Sequence, residues 1–255
     1  MFNFNGGPGG GGNPNRGFYN PFGGRQGYGE TRGWANPTMQ GAISLPEKVM
    51  GLTCLLVLCA LGGIVLGAAG GLNTIYSGGS FLWFIAMFIL AMATQAMAAR
   101  PGIGMVLFLA FGVVTGIAVS PLLQLIALNN EQYIVYEAVA ATAATTGGIT
   151  LYARSTSRDF SRIGGWLFAA LIGVVVAMVI GIFVQSTAFQ IFISAAACVV
   201  FSLFLLYDIQ RVTTTGNAPG NAIRMALKIY LDVFNLFLNL LMILMMTQGG
   251  GRSRR

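Results

Sequence analysis

The chain has 255 residues, of which 55% are hydrophobic and 8% are charged, and its mean hydropathy is +0.73. This composition excludes an ordinary soluble domain and indicates a protein that crosses a membrane several times. The net charge of +7 does not predict nucleic-acid binding, because the Lys and Arg residues lie almost entirely in the N-terminal segment, the loops and the C-terminus.

Residues 1–45 are rich in Gly, Asn and Pro, with interspersed aromatic residues and with Arg16, Arg25 and Arg32. Such a segment buries too little apolar surface to fold alone, so we predict a disordered N-terminal tail. Two roles remain open for it: a cytosolic tether, or an interaction tail that uses its aromatic and arginine side chains. It contains no apolar core of the signal-peptide type.

Seven apolar runs of bilayer length follow, on the criterion of about 20 residues. They lie near Val49 to Leu72, Ser80 to Ala99, Gly102 to Leu123, Glu131 to Ala153, Gly164 to Val184, Ala188 to Tyr207 and Ala222 to Met246. We therefore predict an all-α integral membrane protein. Residues 46–248 form a bundle of seven transmembrane helices, and residues 249–255 form a basic C-terminal tail.

The charges of the connections predict the orientation. Lys and Arg flank the first run and occupy the second, fourth and sixth connections, whereas the first, third and fifth have none. The N-terminus and the even-numbered connections are therefore predicted to be cytoplasmic. Seven full crossings would place Arg252, Arg254 and Arg255 outside, against the rule. Either the last helix does not cross fully, or the short tail is exported.

Three arginines of the fourth connection, Arg154, Arg158 and Arg162, are spaced four residues apart, which predicts a basic cytoplasmic face on one side of a helix. In one interpretation they anchor the protein at the lipid headgroups. In the other they attract or repel ions at the inner mouth of a pathway.

Three acidic residues, Glu137, Asp208 and Asp232, lie inside or at the edge of the predicted spans. A lone ionised carboxylate in hydrocarbon is costly, so such residues are candidates for a functional site. Glu137 is either a partly solvated acid near the headgroups or part of an ion pathway. Asp232 shares a stripe of about 80° on the seventh helix with four other polar residues, Arg224, Lys228, Asn235 and Asn239.

Asp208 and Asp232 are the stronger candidates for chemistry. Asp208 ends the sixth run, and Asp232 lies about ten residues, or about 15 Å, into the seventh. A seventh helix that begins near Met225 would bring the two to similar depth. Two carboxylates in contact cannot both ionise cheaply, so they would share a proton and titrate as one unit. The chain has no His, so switching near neutral pH falls to such carboxylates.

Two motifs, Leu206-Tyr207-Asp208 and Tyr230-Leu231-Asp232-Val233-Phe234-Asn235-Leu236-Phe237, resemble those of the transmembrane Bax-inhibitor-motif family. Its bacterial members include pH-sensitive calcium leak proteins. The resemblance covers about Pro46 to Met246. It implies helices arranged around the last one, Asp208 and Asp232 as pH sensor and gate, and calcium bound transiently by these carboxylates as the permeant ion. Asn235 and Asn239, on the same stripe as Asp232, are predicted to lie beside the ion pathway, and no cofactor is expected.

One position departs from the family pattern. Bacterial members carry a basic residue on the second helix that latches the aspartate pair, and Ala98 stands at the corresponding position here. An equivalent latch could come from Arg100 or from Lys228.

Two functions other than a channel are alternatives for this sequence. An intramembrane aspartyl protease needs two such acids, but the Tyr-Leu-Asp232-Val sequence has bulky residues where a substrate backbone would need room. A regulator without transport would dock on a membrane quality-control protease through the N-terminal tail. The sequence lacks a nucleotide-binding loop, a metal cluster and a nucleophile elbow, so we expect no enzyme activity. The expected partners are the bilayer, calcium and protons, in a bacterial inner membrane rather than an organelle.

Overall fold

The computed structural model describes residues 44–70, 80–100, 102–158, 160–184 and 186–249. The predicted N-terminal tail lies outside these residues except for Ser44 and Leu45, and so does the basic tail except for Gly249. Seven α-helices occur in the described ranges: α1 (Leu45–Ala69), α2 (Ser80–Met97), α3 (Ile103–Leu128), α4 (Gln132–Ser155), α5 (Gly164–Phe183), α6 (Thr187–Thr214) and α7 (Asn221–Gln248). A short 3-10 turn at Ser161–Ile163 precedes α5.

The all-helical prediction is confirmed for the described residues. Six of the helices, all except α2, are long and apolar enough to cross a bilayer, and α2 contributes a shorter apolar helix over Ile85–Met97. On α5, large side chains such as Trp166 and Phe183 are exposed, as expected where a helix faces lipid acyl chains. The protein is therefore an integral membrane protein that crosses the bilayer several times.

The end of α6 and the start of α7 differ from the predicted boundaries, and this difference determines the relative depth of Asp208 and Asp232. Helix α6 continues to Thr214, so Asp208 lies about two turns before its end rather than at its terminus. Helix α7 begins at Asn221, after Gly220 in a left-handed conformation, and not near Met225. The longer α6, rather than a shorter α7, brings the two acids to the same depth.

Helices α1 and α3 form the closest helix pair, and glycines make this approach possible. Gly63 and Gly67 on α1 lie against α3, and Gly112 and Gly116 on α3 lie against α1. A side chain at Gly116 would overlap the backbone carbonyl of Ala60. Small residues spaced four apart allow such backbone contact, which supplies van der Waals packing where lipid removes the hydrophobic driving force.

Helix α7 packs most closely on α6 and also contacts α1, α4, α2 and α3. Two clusters of buried apolar side chains line it. Near its start, Leu227 and Tyr230 pack with Leu56 of α1 and Phe108 of α3. Near its end, Leu241 packs with Ile126 of α3, Ile134 and Ala138. These contacts hold the polar stripe of α7 among the other helices.

The connection between α4 and α5 does not continue the helix, which corrects the prediction of one helical basic face. Helix α4 ends at Ser155, and Thr156 is extended. Arg154 therefore lies on α4, Arg158 in an extended segment and Arg162 in the 3-10 turn. Gln210 of α6 holds this segment: its Nε2 donates to the carbonyl of Arg158 at 3.0 Å, and its Oε1 accepts from the amide of Phe160 at 3.2 Å.

We expect Gly116→Ala to lower the free energy of unfolding by about 1–3 kcal/mol, because the added methyl must push α1 and α3 apart. Gly148→Ala on α4 is the matched control, because a Cβ at Gly148 meets no neighbouring atom within 4 Å. Unfolding by denaturing detergent in mixed micelles measures both. Equal stability of the two variants would contradict close α1–α3 contact.

Candidate functional site

Two carboxyl groups are buried together between α6 and α7. Asp208 is 4% exposed and Asp232 is 7% exposed. Their side chains lie within hydrogen-bonding reach of each other. Two negative charges at this separation repel strongly in a medium of low dielectric constant, so ionising both carboxyl groups at once is costly.

The Asp232 carboxyl group has spare acceptor capacity. Its Oδ2 atom is buried and has no hydrogen-bond partner among the described residues. A buried polar atom without a partner is costly and is seldom left so in a folded protein without a reason. The atom is therefore available to a proton, a water molecule or a cation.

Two cations act on the pair from the helices that carry it. Lys228, one turn before Asp232 on α7, attracts both carboxylates, and Arg211, one turn after Asp208 on α6, attracts Asp208. The Arg211 guanidinium also donates to the hydroxyl of Tyr207 at 3.3 Å. Arg211 was not predicted to act on the pair, although its spacing of three residues from Asp208 is a recognisable signal.

Of the two predicted latch residues, only Lys228 lies beside the pair. Arg100 is exposed just after α2, and its side chain has no contact with either carboxylate within the described ranges. Ala98 is buried against the start of α7, where a Cβ at Gly220 would lie 2.6 Å from the amide nitrogen of Ala99. Arg224 reinforces this junction, because its Nε donates to the carbonyl of Gln95 at 3.2 Å.

Tyr230 fixes the rotation of α7. Its hydroxyl lies 2.6 Å from Oγ1 of Thr115, and that threonine hydroxyl donates to the carbonyl of Gly112 at 2.7 Å. Since Thr115 has a single hydroxyl proton, Tyr230 is the donor to Thr115. The ring also meets Phe111 edge-on, with centroids 6.1 Å apart. Asp232, two residues further on, is thereby directed away from α3.

Asn235 and Asn239 continue the polar stripe beyond Asp232. Their Nδ2 groups donate within α7, to the carbonyl of Leu231 at 2.7 Å and to that of Asn235 at 2.8 Å. Asn239 is buried. One N–H of each side-chain amide is used within the helix, which leaves the other N–H for water and the side-chain carbonyl for water or a cation.

Glu137 does not join the pair. It is exposed on α4, and its Oε2 accepts a hydrogen bond of 2.8 Å from Nε2 of Gln248 at the end of α7. Along α7 this end lies about 24 Å from Asp232. The structure therefore places Glu137, on α4, near the end of α7 and apart from the carboxyl pair.

Few metal-ligating side chains accompany the carboxyl pair within the described residues. Within the described part of the chain, no three His, Cys, Asp or Glu residues are grouped so as to hold a metal ion. Calcium takes about six to eight oxygen ligands, and the two carboxyl groups alone supply fewer than that.

These observations define a multi-helix integral membrane protein with a buried carboxyl pair between its last two helices. The family model described as "Inhibitor of apoptosis-promoting Bax1" matches residues 45–249, and the chain belongs to this family. The resemblance inferred from the two aspartate motifs is thereby confirmed.

The relatives include proteins of bacteria and of a virus. An uncharacterized protein of Helicobacter pylori (strain J99) is 30% identical over 181 residues, which are 70% of this chain and 78% of that protein. An uncharacterized membrane protein of Vibrio cholerae is 35% identical over 142 residues, 55% of this chain and 63% of that one. The Golgi anti-apoptotic protein of vaccinia virus (strain Lister) is 34% identical over 114 residues, 45% and 48% of the two chains.

We expect Tyr230→Phe to destabilise the protein by about 1 kcal/mol, because the buried hydrogen bond to Thr115 is lost. Tyr136→Phe is the control, since Tyr136 is 73% exposed and Tyr230 is 2% exposed. The same unfolding assay measures both variants. A loss of similar size in Tyr136→Phe would show that the hydroxyl of Tyr230 does not fix α7.

Proposed function

We propose that the chain is a passive calcium leak channel whose flux is controlled by pH through Asp208 and Asp232. The observation that carries this proposal is the burial of both carboxyl groups against each other, together with the unpartnered Oδ2 of Asp232. Protons and calcium compete for the same oxygens, so the protonation state of the pair sets both its affinity for the cation and the repulsion between α6 and α7.

In this proposal α7 is the centre of the bundle, and its polar stripe marks the pathway. The contacts of α7 with five other helices support that position. From the carboxyl pair, Asn235 and Asn239 lead toward the end of α7 where Glu137 meets Gln248. The sequence has no nucleotide-binding loop, which fits flux down a gradient.

The proposed orientation follows the loop charges, with the N-terminus on the cytoplasmic side of a bacterial inner membrane. Asp208 and Asp232 then lie in the cytoplasmic half of the bilayer, because α6 ends and α7 begins on that side. The matches to proteins of Helicobacter and Vibrio support a bacterial membrane.

A second candidate is a membrane regulator without transport. It is favoured by one relative, the vaccinia protein, whose name describes an anti-apoptotic role rather than a transport activity. In this chain such a regulator would act on a membrane protein such as a quality-control protease through its N-terminal segment. The flux experiment below separates the two candidates.

We expect calcium flux into liposomes containing the purified protein to change between acid and neutral pH. Asp208→Asn and Asp232→Asn should each flatten this pH profile, because an asparagine amide does not titrate and cannot share a proton with the remaining carboxyl group. Glu47→Gln is the control: Glu47 is an exposed acid at the start of α1 that accepts from the Ser44 amide at 2.9 Å, and glutamine preserves that acceptor. Wild-type flux no greater than in empty liposomes at every pH would overturn the channel and favour the regulator.

Lys228→Gln should move the midpoint of the pH profile of the flux, because the cation that attracts both carboxylates is lost. The charged groups that act on the pair within the described residues are Lys228 and Arg211. Arg100→Gln, which removes an equal charge at a distance, should leave the midpoint unchanged. A larger shift in Arg100→Gln would identify Arg100, rather than Lys228, as the latch.

A further inference from the structure

A large cavity opens on the side of the bundle, away from the stripe of Asn235 and Asn239. Its volume is about 1050 Å³, at the upper limit of about 300–1,000 Å³ for small-molecule pockets. Helix α1 forms one wall and α4 forms the other, while α6 and two residues of α7, Ile229 and Val233, form the floor.

Most of the cavity suits a hydrocarbon chain. Along α1 it extends from Pro46 to Leu58, about 18 Å of helix, which is close to the thickness of one leaflet, about 15 Å. Met50 and Leu58 on this wall are largely exposed, so the cavity is open sideways to the surrounding acyl chains. An occupant can therefore enter from the bilayer without unfolding any helix.

One end of the cavity is basic and polar. The starts and ends of the helices bring Arg154, Arg158 and Arg211 to this end, together with the hydroxyl residues Ser157, Thr213 and Thr214. All three arginines are exposed. Guanidinium groups bind phosphate oxygens through paired charge-assisted hydrogen bonds, and hydroxyls add further donors.

Away from the arginines, the lining of the cavity becomes mostly apolar. Thr146 lines the apolar part, and its Oγ1 is buried without a hydrogen-bond partner among the described residues. Leu205, which is fully buried, and the two residues of α7 close the floor. A cationic end joined to an apolar trough of leaflet depth matches an amphiphile with an anionic head.

We propose that this cavity is a binding site for one anionic phospholipid, with its phosphate between Arg154, Arg158 and Arg211 and one acyl chain between α1 and α4. Charge complementarity selects the headgroup, and the open side toward the bilayer selects a lipid over a soluble phosphate compound. The inference does not depend on calcium transport.

The test is native mass spectrometry of the full chain, purified in detergent and mixed with equal amounts of phosphatidylglycerol and phosphatidylcholine. We expect one phosphatidylglycerol to remain bound, with at least about tenfold preference over phosphatidylcholine for three basic residues. Arg158→Gln should weaken its retention about fivefold. Arg162→Gln is the matched control, because it removes the same charge from the same connection but does not line the cavity.

A second pair of variants tests the trough. Thr146→Phe should fill the cavity and reduce retention of both lipids, while Ala144→Phe, on an exposed position of the same helix, should not. Equal retention of the two lipids, equal losses in Arg158→Gln and Arg162→Gln, or a mass of two chains in place of a lipid adduct would each overturn the proposal.

Discussion

The burial of two like-charged groups between α6 and α7 is the constraint on which the rest of the structure depends. Asp208 and Asp232 are both nearly inaccessible, and neither forms a direct ion pair within the described residues. The two carboxyl groups stay together only if α6 and α7 are prevented from rotating, since rotation would expose the side chains to water. Tyr230 meets this requirement through Thr115, and the apolar cluster that it shares with Leu227 holds the same face of α7.

The remaining helices divide into a tightly joined part and a loosely joined part. Helices α1 and α3 contact through glycines over several turns, so this pair resists deformation. Between α1 and α4, by contrast, lies the large cavity, and α5 packs mainly on α6. Loosely packed elements open at the smallest free-energy cost. Local opening of the bundle is therefore expected to cost least between α1 and α4 and at α5.

Much of this arrangement could be predicted from the sequence, and the rest depended on contacts between distant residues. Apolar length predicted the helices, and the two aspartate motifs predicted the family and the pair. The end of α6 was missed because its last two turns are polar and hydropathy stops at Tyr207. The helical continuation of the basic connection was wrong, and Gln210, about fifty residues away, bonds to the main chain of that non-helical segment. The contact of Tyr230 with Thr115 was not predicted, because a tyrosine in the sequence does not indicate which distant residue its hydroxyl will bond to.

Gln210 docks the connection between α4 and α5 in a way that tolerates substitutions in that connection. Both of its hydrogen bonds are made to main-chain groups, the carbonyl of residue 158 and the amide of residue 160. Any side chain at position 158, and any except proline at position 160, preserves the docking. Substitutions can therefore change the charge of this connection while its backbone position is kept. Position 210, in contrast, needs a side chain that both donates and accepts a hydrogen bond.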